Sequence, residues 1–170
     1  MFEIGQFIVY GSNGVCKVID VGRIDMAGMS AEREYYTLEP FYSKGSRILT
    51  PTDNTKTVMR SVMTREEAEE LMKCAKEAET LWIPDERKRE SFYKSIIATC
   101  DCHELVRVIK TIYLRCQKRL AEGKKVVVSD EKYFKLAEDN LYNELAVVLE
   151  MSKDEAKAYM MERIEEAAAS

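Results

Sequence analysis

The chain has one histidine, His103, and any Ser-His or Cys-His nucleophile would have to use it. It follows Cys102 directly, and at the start of a helix two consecutive side chains diverge, so an exposed first-turn histidine is expected instead. Cys100 and Cys102 offer two thiols, but a structural metal site needs four ligands and no further Cys or His cluster supplies them. No phosphate-cradling glycine loop and no dinucleotide fingerprint is present. These residues predict no metal, no cofactor and no enzyme.

A different chemistry lies further along. Trp82, the only tryptophan, sits in the segment Leu81 to Asp85 (LWIPD), followed at once by Arg87, Lys88 and Arg89. Cations on the first turn of a helix oppose its macrodipole, so their presence there asks for another cause. Phosphate contacts provide one: Arg and Lys neutralise the backbone of DNA while an apolar group presses into a minor-groove base step. On residue type alone Trp82 is either packing between domains or a protruding wedge.

The elements that must position these groups change character near residue 60. Before it the chain reads as short strands: Gln6–Tyr10, Val15–Val21, Glu34–Pro40, Ser46–Pro51 and a fifth near Lys56–Met59. Gly11 to Gly14 (GSNG) is the first turn, with Asn13 and Gly14 free to take positive φ. So many short antiparallel strands in about 60 residues predict a small barrel, because closure removes exposed edges. Helices follow, each opened by a capping pattern: Thr64 with Glu67, Asp101 with Glu104, Ser152 with Glu155, and Ser129 with Asp130 and Glu131. The expected spans are about 64–78, 86–98, 101–122, 129–150 and 152–167. Leu105, Val108, Ile109, Ile112, Tyr113 and Cys116 form one apolar stripe, and Gly123 ends that helix. The fold class is therefore α+β, with a β module over 1–60 and an all-α module of about five helices over 61–170.

Net charge over the 170 residues is −4, which argues against DNA binding driven by overall charge. The distribution is uneven. Residues 85–125 carry 11 cations and 6 anions, whereas residues 131–170 carry 5 cations and 10 anions. A local basic block in an acidic chain suits an anionic partner. Within it Lys94, Lys118, Arg119, Lys124 and Lys125 are candidates for phosphate contact through charge alone. An odd cysteine count of five, with no recognisable secretory leader, predicts free thiols in a reducing cytoplasm. No apolar run approaches the ~20 residues that span a bilayer, so no membrane partner is expected.

The order of parts resembles the CarD/CdnL family of bacterial transcription regulators. Gly5 to Tyr10 (GQFIVY) followed by Gly14 to Val18 (GVCKV) resembles its opening strand and turn. Glu34 to Leu38 (EYYTL) and Ile48 to Pro51 (ILTP) resemble its third strand and its proline-ended strand. The tryptophan, the basic helix, the segment from Asp101 to Ile109 and the final helix pair follow the family's layout. The resemblance implies a Tudor-like barrel that binds the RNA polymerase β subunit by strand-edge pairing with arginines nearby; Arg23, Glu34, Tyr35, Tyr36 and Arg47 are its expected contact residues. It also implies a helical domain on promoter DNA at the upstream edge of the bubble, with Trp82 in the minor groove, stabilising the open complex. A monomer is the expected state. The alternative is an adaptor that uses the same barrel on a polymerase or coupling factor and never touches DNA.

Overall fold

The computed structural model describes residues 1–169. The chain divides into two compact units, Met1–Val62 and Met63–Ser170, and the fold is α+β: an antiparallel five-stranded sheet, then five α-helices.

In the first unit the strands are β1 (Phe7–Tyr10), β2 (Val15–Arg23), β3 (Glu34–Pro40), β4 (Ile48–Pro51) and β5 (Met59–Ser61). Their hydrogen-bonded order is β4-β3-β2-β1-β5. This ladder has two ends, β4 and β5, so the expected closure into a barrel is not part of it. The fifth strand also falls later than the sequence suggested, at Met59–Ser61 rather than about Lys56–Met59. Its pairing with β1, Val9 opposite Arg60, fixes it there.

One face of the sheet is apolar, with Ile8, Tyr10, Cys16, Val18, Tyr36 and Leu38 at its centre. Register brings these together: Ile8 lies opposite Cys16, and Val18 opposite Leu38. Val21 lies three residues beyond Val18, which in a regular strand would turn it to the opposite face. A register shift between Val18 and Asp20 inserts one extra residue and brings Val21 opposite Tyr36, back onto the core side. The first turn departs from expectation. Its positive φ values fall on Gly11 and Gly14, not on Asn13, and residues 11–13 form one turn of 3-10 helix. Gly11 is required there: a Cβ would meet Thr57 Cγ2 at 2.6 Å.

In the second unit the helices are α1 (Arg65–Cys74), α2 (Arg89–Ile97), α3 (Cys102–Ala121), α4 (Val128–Leu149) and α5 (Lys153–Ala169), with 3-10 turns at Ala75–Glu77 and Glu86–Lys88. The Thr64 box is complete, with Glu67 N–H donating to Thr64 Oγ1 at 3.1 Å and Thr64 N–H to Glu67 Oε2 at 2.8 Å. Ser152 and Glu155 form the same reciprocal pair. Asp101 accepts from the amides of His103 and Glu104, but the Glu104 carboxylate turns to Arg107 at 3.0 Å instead of closing a box. The α4 start differs from expectation. That helix begins at Val128 without a side-chain cap, and Asp130, expected to help open it, is drawn inward by two arginines. Gly123, at φ 73°, ends α3 as expected: its N–H donates to Leu120 O at 3.0 Å and that of Lys124 to Arg119 O at 2.8 Å.

The helical core takes Leu105, Val108, Ile109 and Ile112 of α3 against Leu141 and Leu145 of α4 and Met160 and Ile164 of α5. Tyr113 and Cys116, the far end of the stripe, are partly buried against it. No described helix is long and apolar enough to cross a membrane.

Candidate functional site

His103 is exposed on the first turn of α3, and Cys102 points its Sγ to within 3.0 Å of Glu144 Oε2. Cys100 is buried. Among the described residues no group of three or more His, Cys, Asp and Glu side chains is arranged to hold a metal ion. Three of the thiols are raised above the ordinary value. Burial pushes Cys16 up to about 12, a hydrogen bond to Glu70 raises Cys74, and burial raises Cys116.

On the β unit the five expected contact residues do not form one patch. Arg23 and Glu34 are both exposed and directly opposite each other where β2 and β3 meet. Arg47 hydrogen-bonds Glu39, near the other end of β3, and also donates to its neighbour's carbonyl, Ser46 O, at 3.1 Å. Five residues of strand separate Glu34 from Glu39, about 17 Å at the usual rise. The Glu39 carboxyl lies below the usual range because the Gly45 amide and then Arg47 donate to it.

The two tyrosines are not open contact groups. Tyr36 is 2% exposed, and its hydroxyl accepts from the Phe2 amide at 3.0 Å. Tyr35 is 5% exposed, with its hydroxyl on the Ser30 amide at 3.2 Å. Both serve the fold of the sheet. What lies beside Arg47 is the edge strand β4. Thr52 N–H donates inward to Glu34 O, so the two-residue period turns the backbone of Leu49 outward. Pro51, which has no N–H, occupies the next outward position, as edge strands allow.

On the helical unit, Trp82 is 80% exposed. It stands between Leu81 and Ile83, both packed against the helical core. This in-out-in alternation makes the indole protrude. The residues after it divide by environment. Arg87 is 92% exposed at its side chain, with Asp85 at 3.3 Å, and Lys88 is exposed. Arg89 turns the other way. Its side chain is 12% exposed and binds Asp130 at 3.0 Å and Glu86 at 2.7 Å. Arg115 completes the cluster, 3.0 Å from Asp130 and 3.1 Å from Glu86. Asp130 has both carboxylate oxygens engaged and is 1% exposed, so Arg89 is committed to the interior. The Arg89 hydrogen bond holds the Glu86 carboxyl below the ordinary range.

The other cations lie further along. Lys94 is exposed on α2. Lys118 and Lys125 are exposed, Lys124 pairs with Glu122 at 3.2 Å, and Arg119 Nε donates to Lys125 O at 2.9 Å. Arg119 therefore ties the turn after α3. Lys118 and Arg119 also suit the C-terminal end of the helix dipole.

The helix α3 sets these groups in sequence. Thr111 bonds the backbone beside Trp82, Arg115 bonds Glu86 beside Arg87, and Lys118 follows one turn later. At 1.5 Å per residue this is a track about 10 Å long. Thr111 and Arg115 carry no local sequence signal for this role beyond lying four residues apart on one helix face.

Residues 2–63, about a third of the chain, match the family described as CarD-like/TRCF RID domain. The N-terminal unit is a CarD-like/TRCF RID domain. No curated protein matches the chain. This match supports interaction with RNA polymerase. The edge strand β4 and the arginines at both ends of β3 belong to it.

Proposed function

We propose that the chain is a non-enzymatic transcription regulator that bridges RNA polymerase and promoter DNA in the cytoplasm. The RID domain docks on the β subunit by pairing the outward backbone of β4 around Leu49 with a strand edge of the polymerase. Arg47 and, at the far end of β3, Arg23 with Glu34 fix the register. The helical unit contacts the upstream edge of the bubble. There Trp82 presses into the minor groove, and Arg87, Lys88, Lys94, Lys118, Lys124 and Lys125 meet phosphates.

The observation that carries this reading is the 80% exposed indole of Trp82, held out between two packed apolar neighbours and followed by exposed Arg87 and Lys88. Minor-groove binders use apolar wedges of this kind to unstack a base step. Arg89 is excluded from the DNA set by its ion pairs with Asp130 and Glu86.

Binding to separated polymerase subunits tests the first half. The chain is expected to retain the β subunit alone, and Leu49→Pro is expected to abolish retention by removing the outward N–H. Retention by another subunit, or undiminished retention of Leu49→Pro, contradicts docking through β4 on the β subunit.

A further inference from the structure

The segment from Ala78 to Asp85 that carries Trp82 has no α-helix or strand of its own, yet its backbone is bound at several points by one face of α3. Lys110, only 9% exposed, sends its Nζ to Ala78 O at 2.6 Å and Lys76 O at 2.9 Å. Arg107 Nε donates to Glu79 O at 3.1 Å. Leu81 N–H donates to Thr111 Oγ1 at 2.8 Å. The Thr111 hydroxyl in turn donates to Arg107 O at 2.7 Å, which fixes its lone pairs toward Leu81. Residues 107, 110 and 111 are spaced i, i+3, i+4, so all three face the same strip of backbone.

We propose that Thr111, with Arg107 and Lys110, is a positioning residue for Trp82: together they tether the strap so that the indole is already held out when DNA arrives. The tether acts on backbone immediately before Trp82, and Leu81 and Ile83 then seat the strap on the core. A wedge on a loose loop would have to be ordered on binding, at a loss of affinity; a tethered one is pre-organised. The inference rests on reading Trp82 as the DNA contact, but the tether itself has readouts that need no DNA.

Thr111→Val keeps the shape of the side chain and removes both hydrogen bonds, while Thr111→Ser keeps the hydroxyl. Because Trp82 is the only tryptophan, its anisotropy decay reports this strap alone. In the full chain, Thr111→Val is expected to speed hydrogen exchange of the Leu81 amide about fivefold or more, as loss of a part-buried acceptor should, and to enlarge the fast anisotropy component. Thr111→Ser is expected to match the wild type. With RNA polymerase and promoter DNA, Thr111→Val is expected to shorten the open-complex lifetime in the Trp82 background and to have no effect in the Trp82→Ala background. Arg107→Gln, a change at a partly exposed site, repeats the test should Thr111→Val fail to fold. Unchanged exchange and anisotropy overturn the tether, and an equal loss of lifetime in both backgrounds overturns its action through Trp82. Should Trp82→Ala itself leave the lifetime intact, the DNA reading falls, and the tether is decided by exchange and anisotropy alone.

Discussion

Arg89 Nε lies 3.0 Å from Oδ1 of Asp130, a carboxylate 41 residues away with 1% of its side chain exposed. This pair divides a run of three cations that look alike in sequence. Arg87 and Lys88 face solvent, and Arg89 closes a four-member ion cluster with Glu86, Asp130 and Arg115. The cluster joins the start of α2 to α3 and α4.

Arg87→Ala and Arg89→Ala should therefore have opposite effects. Removing Arg89 leaves a buried carboxylate with one arginine instead of two, and is expected to lower the stability of the helical unit by about 3 kcal/mol. Removing Arg87 is expected to change stability by less than about 0.5 kcal/mol and to weaken DNA binding. Urea unfolding followed through the helical signal separates the two.

The phosphate contacts predict a salt signature. Each exposed cation that meets a phosphate contributes roughly one unit to the slope of log K against log salt. Neutralising Arg87 and Lys88 together is expected to flatten the slope by about two, and neutralising Lys118 and Lys125 to do likewise. Neutralising Arg89 is expected to leave the slope unchanged. DNA titrations at a series of salt concentrations measure all three.

Glu138 gives a pH dependence. It is buried on α4, its Oε1 is 3.6 Å from Lys157 Nζ on α5, and burial raises its carboxyl above the ordinary value. An acid raised in the folded state is penalised when charged, so stability falls as pH rises from the unfolded value, about 4.3, through the folded one. Below both values the penalty is absent. Glu138→Gln is expected to unfold at a higher temperature than the wild type near pH 7, with the gap closing toward pH 3.5. Melting curves across that range check it.

Much of the fold was legible because local rules and tertiary packing agreed. The Thr64 and Ser152 caps, the stripe from Leu105 to Ile112 and the glycine after α3 each declare themselves within a few residues. The strand pairing was harder. The extra residue between Val18 and Asp20 only makes sense once Tyr36 is known to lie opposite Val21, and the open ladder from β4 to β5 depends on which strands pair. At the candidate sites, residue type singled out regions but not the direction of each side chain. Tyr35 and Tyr36 alternate within a strand, and both nevertheless end buried, with their hydroxyls on the amides of Ser30 and Phe2. Arg89 differs from Arg87 through its ion pairs with Asp130 and Glu86, and the Leu81–Thr111 bond spans 30 residues.

Whether Trp82 is the DNA contact is decided by the lifetime of a promoter open complex under competitor challenge, with RNA polymerase saturated by the chain or by its Trp82→Ala variant. The chain is expected to lengthen the lifetime, and Trp82→Ala to lose most of this effect while still binding the β subunit. A Trp82→Ala variant that folds, binds the β subunit and lengthens the lifetime as well as the wild type would contradict it.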